Sequence, residues 1–365
     1  MKKILSVVCC MLSVFATNAQ LTMPANGGSV KATIGETIGI TDVKISYGRP
    51  GLRGRDGKVW GSVVHEGFMA DASFGKPRNI PWRAGANENT IIEFSTDVMV
   101  EGKPLKAGKY GLHIAYGADN SIVIFSNSTE GWGSYFYDAN EDALRVNVKP
   151  VSEQYTTERL TYSFRNQTDS SAEIALTWDK LSIPFTVSTQ LQKLQLASIE
   201  REMNGQKTFN PNAYFEAAGY YLDNNIMLDK ALEYARQGSR IVPTFFGINL
   251  QRRVLLQLNR KREADSLMAA SVIRFSMAEM NSYGRTLLRE KEMKKAREIF
   301  ELNYKKNPDN FVTLVGMMRG CSAVGDYKKA LSFCDKAKAK APDDNSRKAI
   351  ERMTAMLKEN KDINS

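Results

Sequence analysis

The sequence predicts a chain in two parts, an antiparallel β-sandwich or jelly-roll-like domain followed by an all-α array of helical hairpins. Three observations predict it. Between about Lys31 and Val187, short runs alternate apolar and polar residues and are punctuated by Gly, Pro, Asn and Asp, the pattern of half-buried strands joined by turns. Near Gln190 the apolar spacing becomes helical, beginning with Leu191, Leu194 and Leu196. Beyond that point residues recur at a fixed step: Ala296 and Ala330 stand 34 positions apart, as do Pro308 and Pro342. A fixed step of that size marks stacked supersecondary units.

The first element is an export signal. Lys2 and Lys3 form a basic start, Ile4 to Ala16 is apolar, and Thr17-Asn18-Ala19 places short residues before Gln20. This reads as a signal peptide over residues 1–19, with an apolar stretch too short to span a membrane. Cys9 lies inside it behind the bulky Val8, where lipid attachment would require a small residue. The expected mature chain therefore begins at Gln20 and is a soluble periplasmic or secreted protein of a Gram-negative-type envelope, peripheral there at most. Only Cys321 and Cys334 remain in it; they fall at packing positions and read as buried thiols, with an oxidised pair as the alternative in this compartment, and a fold this size needs no disulfide staples. Of the net charge of +10, almost all sits in residues 198–365, with 30 Lys+Arg against 21 Asp+Glu. A basic domain suggests nucleic acid, but the export signal and the lack of a recognition motif exclude that class. Acidic protein segments or anionic envelope surfaces fit better.

A β-rich domain is expected over 20–188. Its strand runs include Val43 to Tyr47, Thr90 to Phe94, Tyr110 to Ala115, Ile122 to Phe125 and Leu144 to Val148. Leu160 to Phe164, Glu173 to Trp178 and Phe185 to Val187 follow. Glu101-Gly102-Lys103-Pro104 and Gly117-Ala118-Asp119-Asn120 read as hairpin turns. About eight strands without helical periodicity imply a sandwich or jelly roll. The Gly-rich stretch from Arg49 to Pro81 is only weakly periodic and reads as a surface excursion.

Several blocks of this domain resemble one exported family. They are YGRPGLRGRDGKVWG (Tyr47 to Gly61), WRAGANENTIIEFSTDV (Trp82 to Val98), EGKPLKAGKYGLHI (Glu101 to Ile114), WGSYFYDANEDALRVNVKP (Trp132 to Pro150) and LTWDKLSIPF (Leu176 to Phe185). The family is the domain of unknown function numbered 2911, and the likeness runs from about Leu21 to Val187. It implies a shared fold and a role for the RAGANE block, and it brings no known activity.

A connecting helix or linker is expected over 189–211, four repeats over 212–344, and a capping helix with a tail over 345–365. Gly325-Asp326-Tyr327-Lys328-Lys329-Ala330-Leu331, followed by Ala337 and Pro342, resembles the second helix of a tetratricopeptide repeat. Ala231 and Pro243 keep the same twelve-residue gap, and Ala264 begins another in which Ser276 replaces the proline. The repeats are therefore 212–244, 245–276, 277–310 and 311–344, with Ser346 to Lys358 as the cap. A lone hairpin cannot bury its apolar face, whereas a stack can. Ala231, Ala264, Ala296 and Ala330, together with Gly219 and Gly284, are expected to let the paired helices approach closely.

Aligning the first helices gives the candidate site. The ninth position holds Tyr220, Arg253, Arg285 and Arg319; the fifth, one turn earlier, holds Glu216, Asn249, Asn281 and Val315. The tetratricopeptide resemblance implies that these positions line a groove for extended peptides. Guanidinium groups flanked by Asn amides suit carboxylates, similar to a carboxylate clamp but without its lysine column. The bland alternative is that the arginines are solvated, or paired with neighbours such as Asp223 and Glu279. Arg260-Lys261-Arg262 reads as a solvated turn.

The β-domain offers a second candidate patch. Trp82, Arg83, Asn87 and Glu88 lie within seven residues just before a strand, and with His113 they could form a polar ligand site; equally, Trp82 could fill the core while Asn87 and Glu88 serve the loop. Gly51 to Gly57 with Arg49, Arg53 and Arg55 has the composition of a weak anion cradle. His65 and His113 have no metal-ligand spacing, and no cofactor is implied. Two functions follow. One is a non-enzymatic interaction protein that holds a peptide or protein partner on the helical array, with the β-domain as recognition or anchoring module. The other is a β-domain that binds, and even hydrolyses, a small polar glycan-like molecule. Convergence of Arg83, Asn87, Glu88 and His113 on one pocket would separate them.

Overall fold

The computed structural model describes residues 28–73 and 77–364; the signal peptide read over 1–19 lies outside the described residues. The chain divides into two compact units, up to Ser198 and from Ile199 onward.

The first unit holds strands β1 (Val30–Ile38), β2 (Thr41–Arg49), β3 (Met69–Asp71), β4 (Arg78–Ile80), β5 (Thr90–Phe94) and β6 (Val98–Val100). After them come β7 (Lys103–Leu105), β8 (Gly108–Ala115), β9 (Ser121–Ser126), β10 (Asp142–Val148), β11 (Val151–Arg165) and β12 (Ser171–Ser188). Six form one antiparallel sheet in the order β1-β2-β5-β8-β9-β10; a second runs β11-β12-β6-β7; β3 and β4 make a separate hairpin. Alternation does the work that the sequence suggests: Val43, Ile45 and Tyr47 of β2 point inward while Asp42 and Lys44 point out. Aromatic contacts join the two sheets. Tyr47 meets Tyr162 edge-on at 4.7 Å, and Phe125 meets Phe185 at 5.8 Å. The turn at Glu101-Gly102 places both residues at positive φ, 47° and 73°, the mirror-image turn that matches strand twist.

Two expectations change. The runs Glu173 to Trp178 and Phe185 to Val187 are one strand, β12. Pro184 does not break it because pairing with β11 begins at Ser182 and pairing with β6 begins only at Val187, so its missing N–H falls between ladders. The stretch from Arg49 to Pro81 is also more than a surface excursion. Leu52, Val59 and Val64 are completely buried, and Trp60 donates its indole N–H to Trp178 O at 3.1 Å.

Helix α1 (Leu191–Met203) spans the division between the units. In the second unit α2 (Pro211–Asp223) pairs with α3 (Leu228–Ile241), α4 (Phe245–Gln257) with α5 (Lys261–Val272), and α6 (Met277–Arg289) with α7 (Met293–Lys306). The fourth hairpin joins α8 (Phe311–Ala323) to a second helix broken into α9 (Tyr327–Leu331) and α10 (Cys334–Ala339), and α11 (Asp344–Lys358) follows. Each first helix is started by a side-chain cap: Asn210, Thr244, Ser276 and Asn310 each accept from a first-turn N–H, a local stop worth about 1 kcal/mol apiece. Ser276, which stands where the repeat's proline is missing, makes a full capping box with Glu279.

Ala231, Ala264, Ala296 and Ala330 are all buried at the helix contacts. Gly284 also lets helices close: a Cβ there would lie 2.6 Å from the Phe300 ring. Gly219 does not, because a Cβ on it would meet open space; Gly238 and Gly247 take that role, both against Phe215. Cys321 and Cys334 are free, buried thiols whose pKa burial pushes up.

Candidate functional site: a cationic cleft on the helical unit

Arg285 sits near the middle of α6, and Arg289 follows one turn later on the same helical face. Beside them α8 contributes Arg319, and the turn after α6 contributes Lys291. With Ser282, Leu288, Met293, Asp362 and Asn364 these residues line a cleft of about 650 Å³. Four cations thus face a single carboxylate, Asp362, among the lining residues.

The end of the chain builds one wall. Ile363 is buried, its N–H donates to Ser322 Oγ at 3.0 Å, and that hydroxyl donates to Asp362 at 2.7 Å. Asn364 then exchanges bonds with Arg319: its amide donates to the Arg319 carbonyl at 3.0 Å, and the Arg319 guanidinium donates to Asn364 Oδ1 at 3.3 Å. Burial pushes the Arg319 pKa down, and the nearby Arg285 charge adds to this while Asp362 opposes it. Arg285 itself is exposed and has no hydrogen-bond or ion-pair partner among the described residues. An unpaired guanidinium next to another guanidinium is an unsatisfied demand for an anion.

The column read from the sequence is therefore only partly continuous. Arg285 and Arg319 come together, but Arg253 is paired with Asp223 at 3.1 Å. Tyr220 is half-buried on α2, its ring 6.3 Å from that of Tyr221. Asn281 is half-buried one turn before Arg285, and Asn249 has its side-chain oxygen buried without a hydrogen bond. Reading one more turn along the same face would have found Arg289; Lys291 and the chain end carry no such signal. Nor does Arg252, which is 4% exposed, forms a two-bond ion pair with Glu290, and lies 5.5 Å over the Tyr283 ring. That pair clasps the second repeat to the third. In the basic turn, Arg260 and Lys261 pair with Glu263 and Glu292, and Arg262 is left exposed.

In the β-unit the described residues of the candidate ligand patch meet different surroundings. Trp82 is buried beside Trp60 and Trp178. Arg83 donates to Asn87 O at 2.9 Å and lies over the Tyr135 ring, so it fastens its own loop. Asn87 donates to Ser29 O at 3.4 Å, and Glu88 faces solvent. His113 is buried, 3.2 Å from Ser134 Oγ; burial and then Arg83 lower its pKa to about 4, which keeps the ring neutral. The loop's purpose is packing. The Ala84 carbonyl accepts from the buried Tyr162 hydroxyl at 2.8 Å and from Thr90 at 3.1 Å. The Gly51–Gly57 cradle is likewise closed from within, since Arg55 donates to the carbonyls of Leu52 and Gly51, and Arg49 to Leu160 O. Among the described residues no group of three or more His, Cys, Asp or Glu gathers in metal-binding range.

Residues 29–187, the sandwich, match the model of the family described as Protein of unknown function (DUF2911). The solved structure of YrrB, a TPR protein with an unusual peptide-binding site, is similar at 17% identity, covering 44% of this chain and 83% of that chain with a TM-score of 0.29. At that TM-score the helical pairs and the 34-residue step carry the fold by themselves. No curated protein matches the chain. The molecule is thus a two-unit protein: a sandwich whose sequence matches the DUF2911 model, followed by an array of paired helices with tetratricopeptide-like spacing.

Proposed function

We propose that this chain is an exported envelope protein whose helical unit docks a protein or peptide partner, the sandwich serving as recognition or anchoring module. The observation that carries this reading is the gathering of Arg285, Arg289, Lys291 and Arg319 around one open cleft with Arg285 unpaired. Arginine meets carboxylates through two parallel bonds and keeps its charge at any physiological pH, so the partner segment is acidic. Lys2, Lys3 and the apolar run to Ala16 support export. The mature protein should then begin at Gln20, which intact-mass measurement on native material checks.

The cleft is tested by immobilising the full mature chain and capturing partners from envelope extract. Arg285→Ala should weaken capture about tenfold, the loss of one charge-assisted contact partly screened by solvent. Arg262→Ala, in the exposed turn, should change little, and added salt should weaken capture by the parent. If Arg285→Ala folds and still captures every partner that the parent captures, the cleft is not the docking site.

A further inference from the structure

The stacking that aligns the first helices also aligns the connections between repeats along one rim of the helical unit. Ring contacts tie the starts of neighbouring hairpins: Phe215 of α2 meets Phe246 of α4 at 5.6 Å, and Phe245 of α4 meets Phe275, just ahead of α6, at 4.9 Å. Three successive connections there share a composition. Ahead of α2, Phe209 is 85% exposed and stands two residues from Lys207. At the junction of α3 and α4, Ile241 and Phe246 are 51% and 61% exposed, and Arg240 precedes Ile241. Between α5 and α6, Ile273 is 66% exposed and Arg274 follows it. Residues 203–210, 239–247 and 271–277 contain no Asp or Glu. Of the nearest acids, Glu202 is paired with Lys207 and Glu279 is folded onto Ser276.

Single exposed apolar side chains are ordinary, but here they recur on three successive connections. We propose that this rim docks the protein peripherally on an anionic lipid surface. Each connection offers a short apolar projection, and the second and third carry Arg240 and Arg274 beside it. Separate projections suit a fluid interface, which closes around each one, better than a protein pocket, which has to match all of them. Phe and Ile side chains enter the boundary between headgroups and acyl chains, while Arg240 and Arg274 meet the headgroup phosphates. The absence of acids in these connections removes the repulsion that would oppose the approach. No helix among the described residues is long and apolar enough to cross a membrane, and surface docking requires none. The rim is separate from the cleft, so this inference does not depend on the peptide reading.

The test is co-sedimentation of the full mature chain with extruded vesicles. Binding to vesicles of phosphatidylcholine with phosphatidylglycerol at about 3:1 should be about tenfold tighter than to phosphatidylcholine alone, and should fall at about 0.5 M salt. Phe209→Ser with Ile273→Ser removes two of the most exposed side chains; it should keep the parent's circular dichroism and weaken vesicle binding about tenfold. Arg285→Ala should bind vesicles as the parent does, which separates this surface from the cleft. Absence of binding to the anionic vesicles, or binding unchanged in the double variant, overturns the proposal. So does a dimer of the parent in lipid-free buffer that the double variant abolishes, because the rim would then be an interface between two copies.

Discussion

In the sandwich, Arg49, Arg55 and Arg83 each donate to carbonyl oxygens of the same unit. In the helical cleft, Arg285 has no partner among the described residues, and Arg319 is held by the Asn364 side chain. Both sets read alike in sequence, as arginines clustered with Asn and Gly. What separates them is the supply of local acceptors. A long loop crossing a sheet leaves many carbonyls without ladder partners, and guanidinium groups are recruited to satisfy them. A helix satisfies its own carbonyls and leaves its side chains available. The same residue type therefore holds structure in one unit and faces outward in the other.

The largest effect that could break this contrast lies where the loop meets the sheet. A Cβ on Gly48 would lie 2.1 Å from the carbonyl oxygen of Ala86. Backbone on backbone cannot yield cheaply, so Gly48→Ala should destabilise the sandwich by about 3 kcal/mol, read from denaturant unfolding with a β-sheet signal. The helical signal should survive. If Gly48→Ala is neutral, the loop is not packed for structure and the Trp82 to Glu88 block returns as a ligand site.

Next comes a pair of adjacent arginines within the helical unit. Arg252 is buried against Glu290 and Tyr283, whereas Arg253 forms an exposed pair with Asp223. Arg252→Ala strands Glu290, whose side chain is about a third exposed, and should cost about 2–3 kcal/mol in chemical denaturation. Arg253→Ala should cost less than about 0.5 kcal/mol. Equal losses would mean that burial does not decide which arginine is structural.

His113 sharpens the contrast through pH. Its folded pKa of about 4 lies below the ordinary 6.5, so between those values the unfolded chain binds more protons than the folded one. Stability is therefore complete above about pH 6.5 and is lost as pH falls toward 4. The sandwich should lose about 2 kcal/mol between pH 7.5 and pH 5. Melting curves of the parent and of His113→Gln across that range check it: the variant should show a flatter slope.

Much of this architecture was legible in residues whose physics is local. Alternation in Val43 to Tyr47, the Glu101-Gly102 turn, the capping residues ahead of each first helix and the 34-residue step each depend on near neighbours. The misreadings came from distant contacts. Nothing near Pro184 announces that two different partner strands flank it, and nothing near Val59 or Val64 shows that Trp60 reaches the Trp178 carbonyl. Arg285 and Arg319 were found because the repeat makes a distant pair periodic. Asp362 and Asn364 escaped because the chain end lies outside the repeat.

The smallest expected effect concerns Arg285, and its sign separates the two uses of arginine most sharply. Arg319 is largely buried, and its charge is opposed by the desolvation of its site and by the Arg285 charge beside it. Removing Arg285 deletes an exposed side chain with no partner among the described residues and relieves that repulsion. Arg285→Ala should therefore change unfolding stability by no more than about 0.5 kcal/mol, in the stabilising direction, even as it weakens partner capture. The shift should shrink at high salt, where the repulsion is screened. Urea unfolding followed by helical circular dichroism at low and high ionic strength measures both. A clear loss of stability would make Arg285 a structural residue like Arg252. A small gain at low salt together with weakened capture is the signature of a charge kept for a partner.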